Sequence, residues 1–154
     1  MNKLLYASIA VVIIAVLLAD FLFLRLNSSE IMYFDKMHTE EIMLDGFAMT
    51  VKIADVQPEW NAGFQNVSLD VIEKTAILFV FPSAENRTFH MRNVAAELDI
   101  AFADSDGVIF QVQRMGPGDS LYASSAPAMY ALETRAGYIE ENNITVRTRI
   151  VFRQ

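Results

Sequence analysis

Residues 89–112 read FHMRNVAAELDIAFADSDGVIFQV, and the class of fold turns on them. In LDIAFA, Leu98, Ile100 and Phe102 alternate with Asp99, Ala101 and Ala103. That is the period of a strand with two different faces. ADSDG then places Asp and Gly where a tight turn needs them, and GVIFQVQRM resumes the apolar run, so the two segments form a hairpin. TFHMR is a further short strand, separated from the hairpin by the polar loop NVAAE. Asn93, Glu97 and Asp99 fall within this region. They are candidates for an active site, a metal site, or polar groups that satisfy a loop backbone.

Working outward, FAMTVKIADV alternates in the same way, with Met49, Val51 and Ile53 on one face. QPEWNAGF places Pro58 near the start of a short helix and Gly63 near its end. SLDVIEK is another helical turn. AILFVF is continuously apolar up to Pro82, which suits a strand buried on both faces. Towards the C-terminus, RMGPGDSLYASSAPA reads as a long loop, MYALETRA as a strand, GYIEENN as a helical turn and ITVRTRIVF as a final strand. Short strands with turns between them, and no long helices of the strand–helix–strand kind, predict an all-β domain. It is expected to be β-sandwich-like or barrel-like with short helices, over residues 47–154.

One transmembrane helix is expected before it. Residues 4–24, LLYASIAVVIIAVLLADFLFL, are apolar apart from Asp20. As a helix they extend roughly 31 Å, about the thickness of a hydrocarbon core. A cleaved signal peptide fits less well: the best cut follows Ala19, Leu17 is a poor small-residue partner, and the apolar run continues beyond it. Residues 1–25 therefore read as a signal-anchor. Lys3 precedes the helix, whereas Arg25 is soon followed by Glu30 and Asp35. The bias places the C-terminal domain outside the cytoplasm, on a single-pass anchor in the cell membrane. Residues 26–46 read as a stalk or irregular lead-in, or as an early strand with a short helix.

The net charge is −7, and removing residues 1–25 makes the remainder more acidic still. Such a body repels nucleic acid, and no basic stripe compensates. With no cysteine, thiolate nucleophiles, disulfides and iron–sulfur clusters are excluded. Asn27, Asn66, Asn86 and Asn143 each begin an Asn-X-Ser/Thr sequon, where chance would give roughly one. They are candidate glycosylation sites of an exported domain.

From about Thr50 to Phe152 the chain resembles the bacterial and archaeal family known as domain of unknown function 192. VKIADVQPEWNAGF resembles the family's strand, short helix and corner, and ILFVF its Leu-Phe-Val-Phe strand. FHMRNVAAELDIAF resembles its central Phe-Trp-Met-Lys-Asn-Thr and Pro-Leu-Asp motif. YALETRAG resembles its Val-Leu-Glu segment closed by Ala-Gly. His90, Val94 and Glu97 stand where the family has Trp, Thr and Pro, and Arg147 and Thr148 where it has Gly-Asp. The resemblance implies a compact β-sandwich-like domain, often exported or anchored, and no activity.

Candidate ligand-binding residues are His90, Asn93, Glu97, Asp99 and Tyr122. Asp99 and Glu133 are the candidate catalytic pair, because two carboxylates in one cleft can divide acid and base roles. Against this, Asn93 and Asp99 also suit backbone bonding, with Arg92 or Arg135 as partners for Asp99. Asp35, His38, Glu40 and Glu41 cluster without enough nitrogen or sulfur ligands for zinc, and DSDG fails the calcium-loop pattern at Val108 and Met115. No metal or cofactor is expected. Trp60 reads as a core anchor. The leading expectation is an anchored binding or accessory module for a protein, glycan or small ligand. Alternatives are a hydrolase-type enzyme using Asp99 and Glu133, or a surface-assembly subunit packing through its N-terminal helix.

Overall fold

The structure is a computed structural model that describes residues 2–153; the side chains of residues 2–8, 10 and 23–29 lie outside the described part. Helix α1 (Asn2–Lys36) is followed by β1 (Thr39–Leu44), β2 (Phe47–Ala54), α2 (Gln57–Ala62), α3 (Leu69–Ile72) and β3 (Ile77–Glu85). Then come β4 (Thr88–Met91), β5 (Leu98–Ala103), β6 (Ile109–Met115), β7 (Gly118–Ala123), β8 (Ala128–Arg135), α4 (Tyr138–Glu141) and β9 (Ile150–Phe152).

Seven strands form one sheet in the order β6-β5-β8-β3-β2-β1-β9, while β4 and β7 pair as a separate ribbon. The sheet curls into a half-barrel, and its edges meet at one end, where Val108 bridges Arg149. There the Ile109 N–H donates to the Thr148 carbonyl at 2.9 Å and the Ile150 N–H to the Gly107 carbonyl at 2.8 Å. Joining the edges in this way hides backbone groups that an open sheet would leave unpaired. The domain is mostly β, as its sequence predicts, and the barrel-like form describes it better than two facing sheets.

Two cores divide the strand positions by parity. Inside the curl, all seven strands contribute, among them Ile42, Val51, Leu78, Ala101, Ile109, Leu132 and Ile150. On the other face, Ile77, Phe79, Leu98, Ile100 and Phe102 pack beneath the helices and the ribbon. AILFVF is apolar on both sides because β3 lies between the two cores. The β5 residues turned into the curl include Ala101 and Ala103, small side chains on the crowded concave face. Strand β2 runs parallel to β3, so the chain must cross over between them, and α2 and α3 lie on that crossover.

The ADSDG turn forms as expected: the Asp104 carboxylate accepts from the Asp106 and Val108 N–H groups, each at 2.9 Å. Two segments differ from their reading. RMGPGDSLYASSAPA contains β7, which pairs with β4. Its Gly and Ser residues lack the alternation of a half-buried strand because the ribbon is largely exposed on β7. In ITVRTRIVF only Ile150–Phe152 is strand, since Arg147 takes φ 85° and breaks the run.

Residues 26–46 hold the end of α1 and the whole of β1. The last turn of α1 and the residue after it dock on the outer core through buried Phe34 and Met37. Lys52 donates to the Phe34 carbonyl at 3.1 Å and the Met37 carbonyl at 3.4 Å, capping carbonyls that a helix end leaves open. Further up, Ile9, Val11 to Ile14, Val16 to Leu18, Phe21 and Leu22 are all exposed, so α1 is apolar around its circumference there. Among the described residues, no helix is long and apolar enough to cross a membrane. Parts of the 4–24 stretch, together with Lys3, Arg25 and the Asn27 sequon, lie outside the described side chains.

Candidate active site over Glu133

The crossover and the ribbon leave an open cavity of about 470 Å³ on the outer face of the sheet. Phe79 and Phe81 come from β3, Phe89 and His90 from β4, Trp60 and Asn61 from α2, and Glu133 from β8. The aromatic residues touch in series. Trp60 lies 5.2 Å from Phe81, Phe81 lies 6.4 Å from Phe79, and Phe79 and Phe89 meet edge to face at 5.0 Å between ring centroids. Trp60 also donates its indole N–H to the Ala54 and Val80 carbonyls, at 2.9 and 3.2 Å. It is thus both the expected anchor, tying α2 to the sheet, and part of the cavity wall.

Gly63 ends α2 with φ 46° and ψ −134°, a conformation that a side chain resists. A Cβ there would lie 3.5 Å from the Phe79 ring and 3.7 Å from Glu133 Oε2. The corner therefore rests directly against the carboxyl group.

Glu133 is 4% exposed. Among the described residues no hydrogen bond or ion pair reaches its carboxyl group, and burial alone pushes its pKa up to about 8. It is therefore mostly protonated at pH 7. His90 places Nδ1 in a buried position with no hydrogen-bond partner among the described residues. Burial, followed by the charge of Arg92, lowers the pKa of that ring and keeps it neutral. Arg87 also lines the cavity but is otherwise engaged. It stacks on Phe81 at 4.0 Å and donates to the Ser83 and Ala128 carbonyls at 2.5 and 3.3 Å.

The structure separates the catalytic pair. Asp99 lies opposite Thr134 and Ile100 lies opposite Glu133. Directly opposed residues share a face, so Asp99 and Glu133 point to opposite sides of the sheet. They cannot act on one substrate. Asp99 is committed elsewhere: it accepts from Arg114 Nε at 2.5 Å and from the Gly137 N–H at 2.7 Å. Its basic partner is Arg114, across the hairpin, rather than Arg92 or Arg135.

Of the candidate ligand-binding residues, only His90 lines the cavity. Asn93 is exposed, takes φ 57°, and accepts the Asn66 N–H on its own carbonyl at 2.7 Å. It serves the loop through its backbone conformation rather than a buried amide. Glu97 is exposed, 3.8 Å from Arg114. Tyr122 locks its own hairpin: its hydroxyl accepts the Gly116 N–H at 2.9 Å and donates to the Gly116 carbonyl at 3.2 Å. Among the described sequons, Asn86 and Asn143 are exposed, whereas Asn66 is half-buried and donates to Glu30 at 2.5 Å. His38 contacts Glu40 at 3.2 Å on the surface. No group of three such ligands able to hold a metal occurs among the described residues.

Sequence reasoning missed Gly63, Phe79, Phe81 and Phe89 as parts of a site. The available signal was Glu133 itself, a carboxylate inside the otherwise apolar strand MYALETR.

Fold and site together define a class: small curled-sheet domains that cover one face of a half-barrel with a short-helix crossover and a two-stranded ribbon. The profile of the family DUF192, described as Uncharacterized ACR, COG1430, matches residues 39–152, and the chain belongs to that family. Comparison with curated proteins gives no match. One similar solved structure is that of a candidate transcription regulator from Sinorhizobium meliloti 1021. It has a TM-score of 0.70 and 22% identity, covering 75% of this chain and 95% of that one. Another is a protein of unknown function from Novosphingobium aromaticivorans DSM 12444, with a TM-score of 0.65 and 17% identity, covering 75% and 84%. At these identities the likeness is one of fold.

Proposed function

We propose that the chain is a membrane-anchored accessory module whose extracytoplasmic domain captures a small molecule in the cavity over Glu133. The observation that carries this is the unpartnered carboxyl group, 96% buried yet facing an open cavity of about 470 Å³. A buried polar group is normally hydrogen-bonded. A ligand that enters the cavity can supply the partner that the protein does not. The volume falls in the range of small-molecule sites, and the walls combine aromatic surface with a few convergent polar groups.

The anchor rests on the apolar sequence of 4–24 and on the exposure of Ile9 and of the apolar residues between Val11 and Leu22. Water is a poor solvent for such a surface, and lipid a good one. Exposed Asn143, which does not line the cavity, suits an exported, glycosylated surface. An enzyme using Asp99 with Glu133 is not supported, because the two occupy opposite faces. A nucleic-acid partner is opposed by the net charge of −7.

Native mass spectrometry on the full chain extracted from its own membranes tests the proposal. The expected spectrum contains residues 1–25 and a small-molecule adduct. Asn61→Trp, at an exposed cavity-lining position on α2, should abolish the adduct by filling the mouth. A chain found only in the aqueous fraction would overturn the anchor, and the same adduct on Asn61→Trp would overturn the cavity.

A further inference from the structure

We propose that the cavity over Glu133 selects an organic cation, a primary or quaternary ammonium head on a small apolar body. This rests on the small-ligand reading above and names the ligand's chemical class. Three observations carry it. The carboxyl group is the one acidic group of the lining and has no partner among the described residues. The lining also holds the rings of Trp60 and Phe89, both half-buried, with Phe79 and Phe81 packed behind them and Arg87 already seated on Phe81; an aromatic face attracts cations when water is excluded. The cation already at the lining, Arg87, is bound to Ser83 and Ala128 and laid on Phe81, so it is not offered to an anionic ligand. The chain's charge of −7 also raises the local concentration of cations rather than anions.

Groups facing Glu133 set the pH behaviour. β3 and β5 place Ile77 and Ile100 opposite it, and the α2 corner presents Gly63. Of the residues lining the cavity, Arg87, His90 and Glu133 can carry a charge near neutrality, and the His90 ring is held neutral. Alone in its pocket, Glu133 keeps its proton until about pH 8. An ammonium head favours the ionised form, so binding at pH 7 expels that proton to solvent. Affinity for the cation therefore rises with pH and levels off above about 8.

Titration calorimetry on the full chain in lipid nanodiscs tests this with benzyltrimethylammonium, benzyl alcohol and benzoate. At pH 8.5 the ammonium should bind at least about tenfold tighter than the alcohol, and benzoate should not bind. At pH 7, heats in buffers of different ionisation enthalpy should report close to one proton released per ammonium bound. Glu133→Gln should erase both the cation preference and the proton release. Phe89→Leu, which leaves the carboxyl group in place, should weaken the ammonium by about threefold. If alcohol and ammonium bind equally, or if Glu133→Gln keeps the preference, the cation assignment falls while the small-ligand reading stands. If no ligand binds, both fall.

Discussion

Two buried carboxyl groups, one strand apart in the sheet, meet opposite fates. Asp99 accepts hydrogen bonds from Arg114 and Gly137, and its charge is used. Glu133 has burial and nothing else acting on it. Its folded pKa lies above the ordinary 4.5, so the native state holds a proton that the unfolded chain has lost between pH 4.5 and about 8. Its favourable contribution is complete below pH 4.5 and declines as pH rises towards 8, at about 1.4 kcal/mol per unit before relaxation. Glu133→Gln is expected to stabilise the domain at pH 7 by about 2 kcal/mol and to change little at pH 4. Asp99→Asn should cost about 2–3 kcal/mol at pH 7, because it weakens a charge-assisted bond and leaves Arg114 short of a partner. Thermal melts of both variants at the two pH values check the signs. Both residues stand out in the sequence, since carboxylates interrupt apolar strands. Their faces do not, because a register that pairs Asp99 with Thr134 rather than Glu133 depends on strand neighbours 30 or more positions away.

At the level of elements, the legible parts were those with a local signature. The ADSDG hairpin, the Pro58-to-Gly63 helix and the doubly buried AILFVF strand each carry one. Strand β7 carries none, since it is a surface ribbon rich in Gly and Ser. The junction of α1 with the domain was equally hidden, because its polar part is made by Lys52, which reads only as an outward residue of an alternating strand. In the structure Lys52 caps the helix and lies 4.7 Å over the Phe34 ring. Lys52→Met should unfasten that end and raise amide exchange over residues 30–38 by at least about tenfold, with β3 and β8 unchanged. Uniform exchange across the chain in the variant would show that the cap supports the whole domain instead.

Across the whole molecule, the curled sheet carries a core on each face, and the cavity opens only on the outer one. The inner face is filled by apolar residues from every strand of the sheet. The outer face is covered in pieces, by the end of α1, the α2 corner and the ribbon, and the space between the α2 corner and the ribbon is the cavity. The crossover and the ribbon that shape it come from segments distant in the chain. Its existence could therefore not be read along the sequence, although Glu133 at its base and His90 on its wall could. The proposed site depends on the state of that one carboxyl group. Carbon-13 titration of the Glu133 side chain in the intact protein measures it directly. A midpoint near 8 that drops when benzyltrimethylammonium is added is the expected result. A midpoint near the ordinary 4.5, or one that the ammonium leaves unmoved, would contradict it.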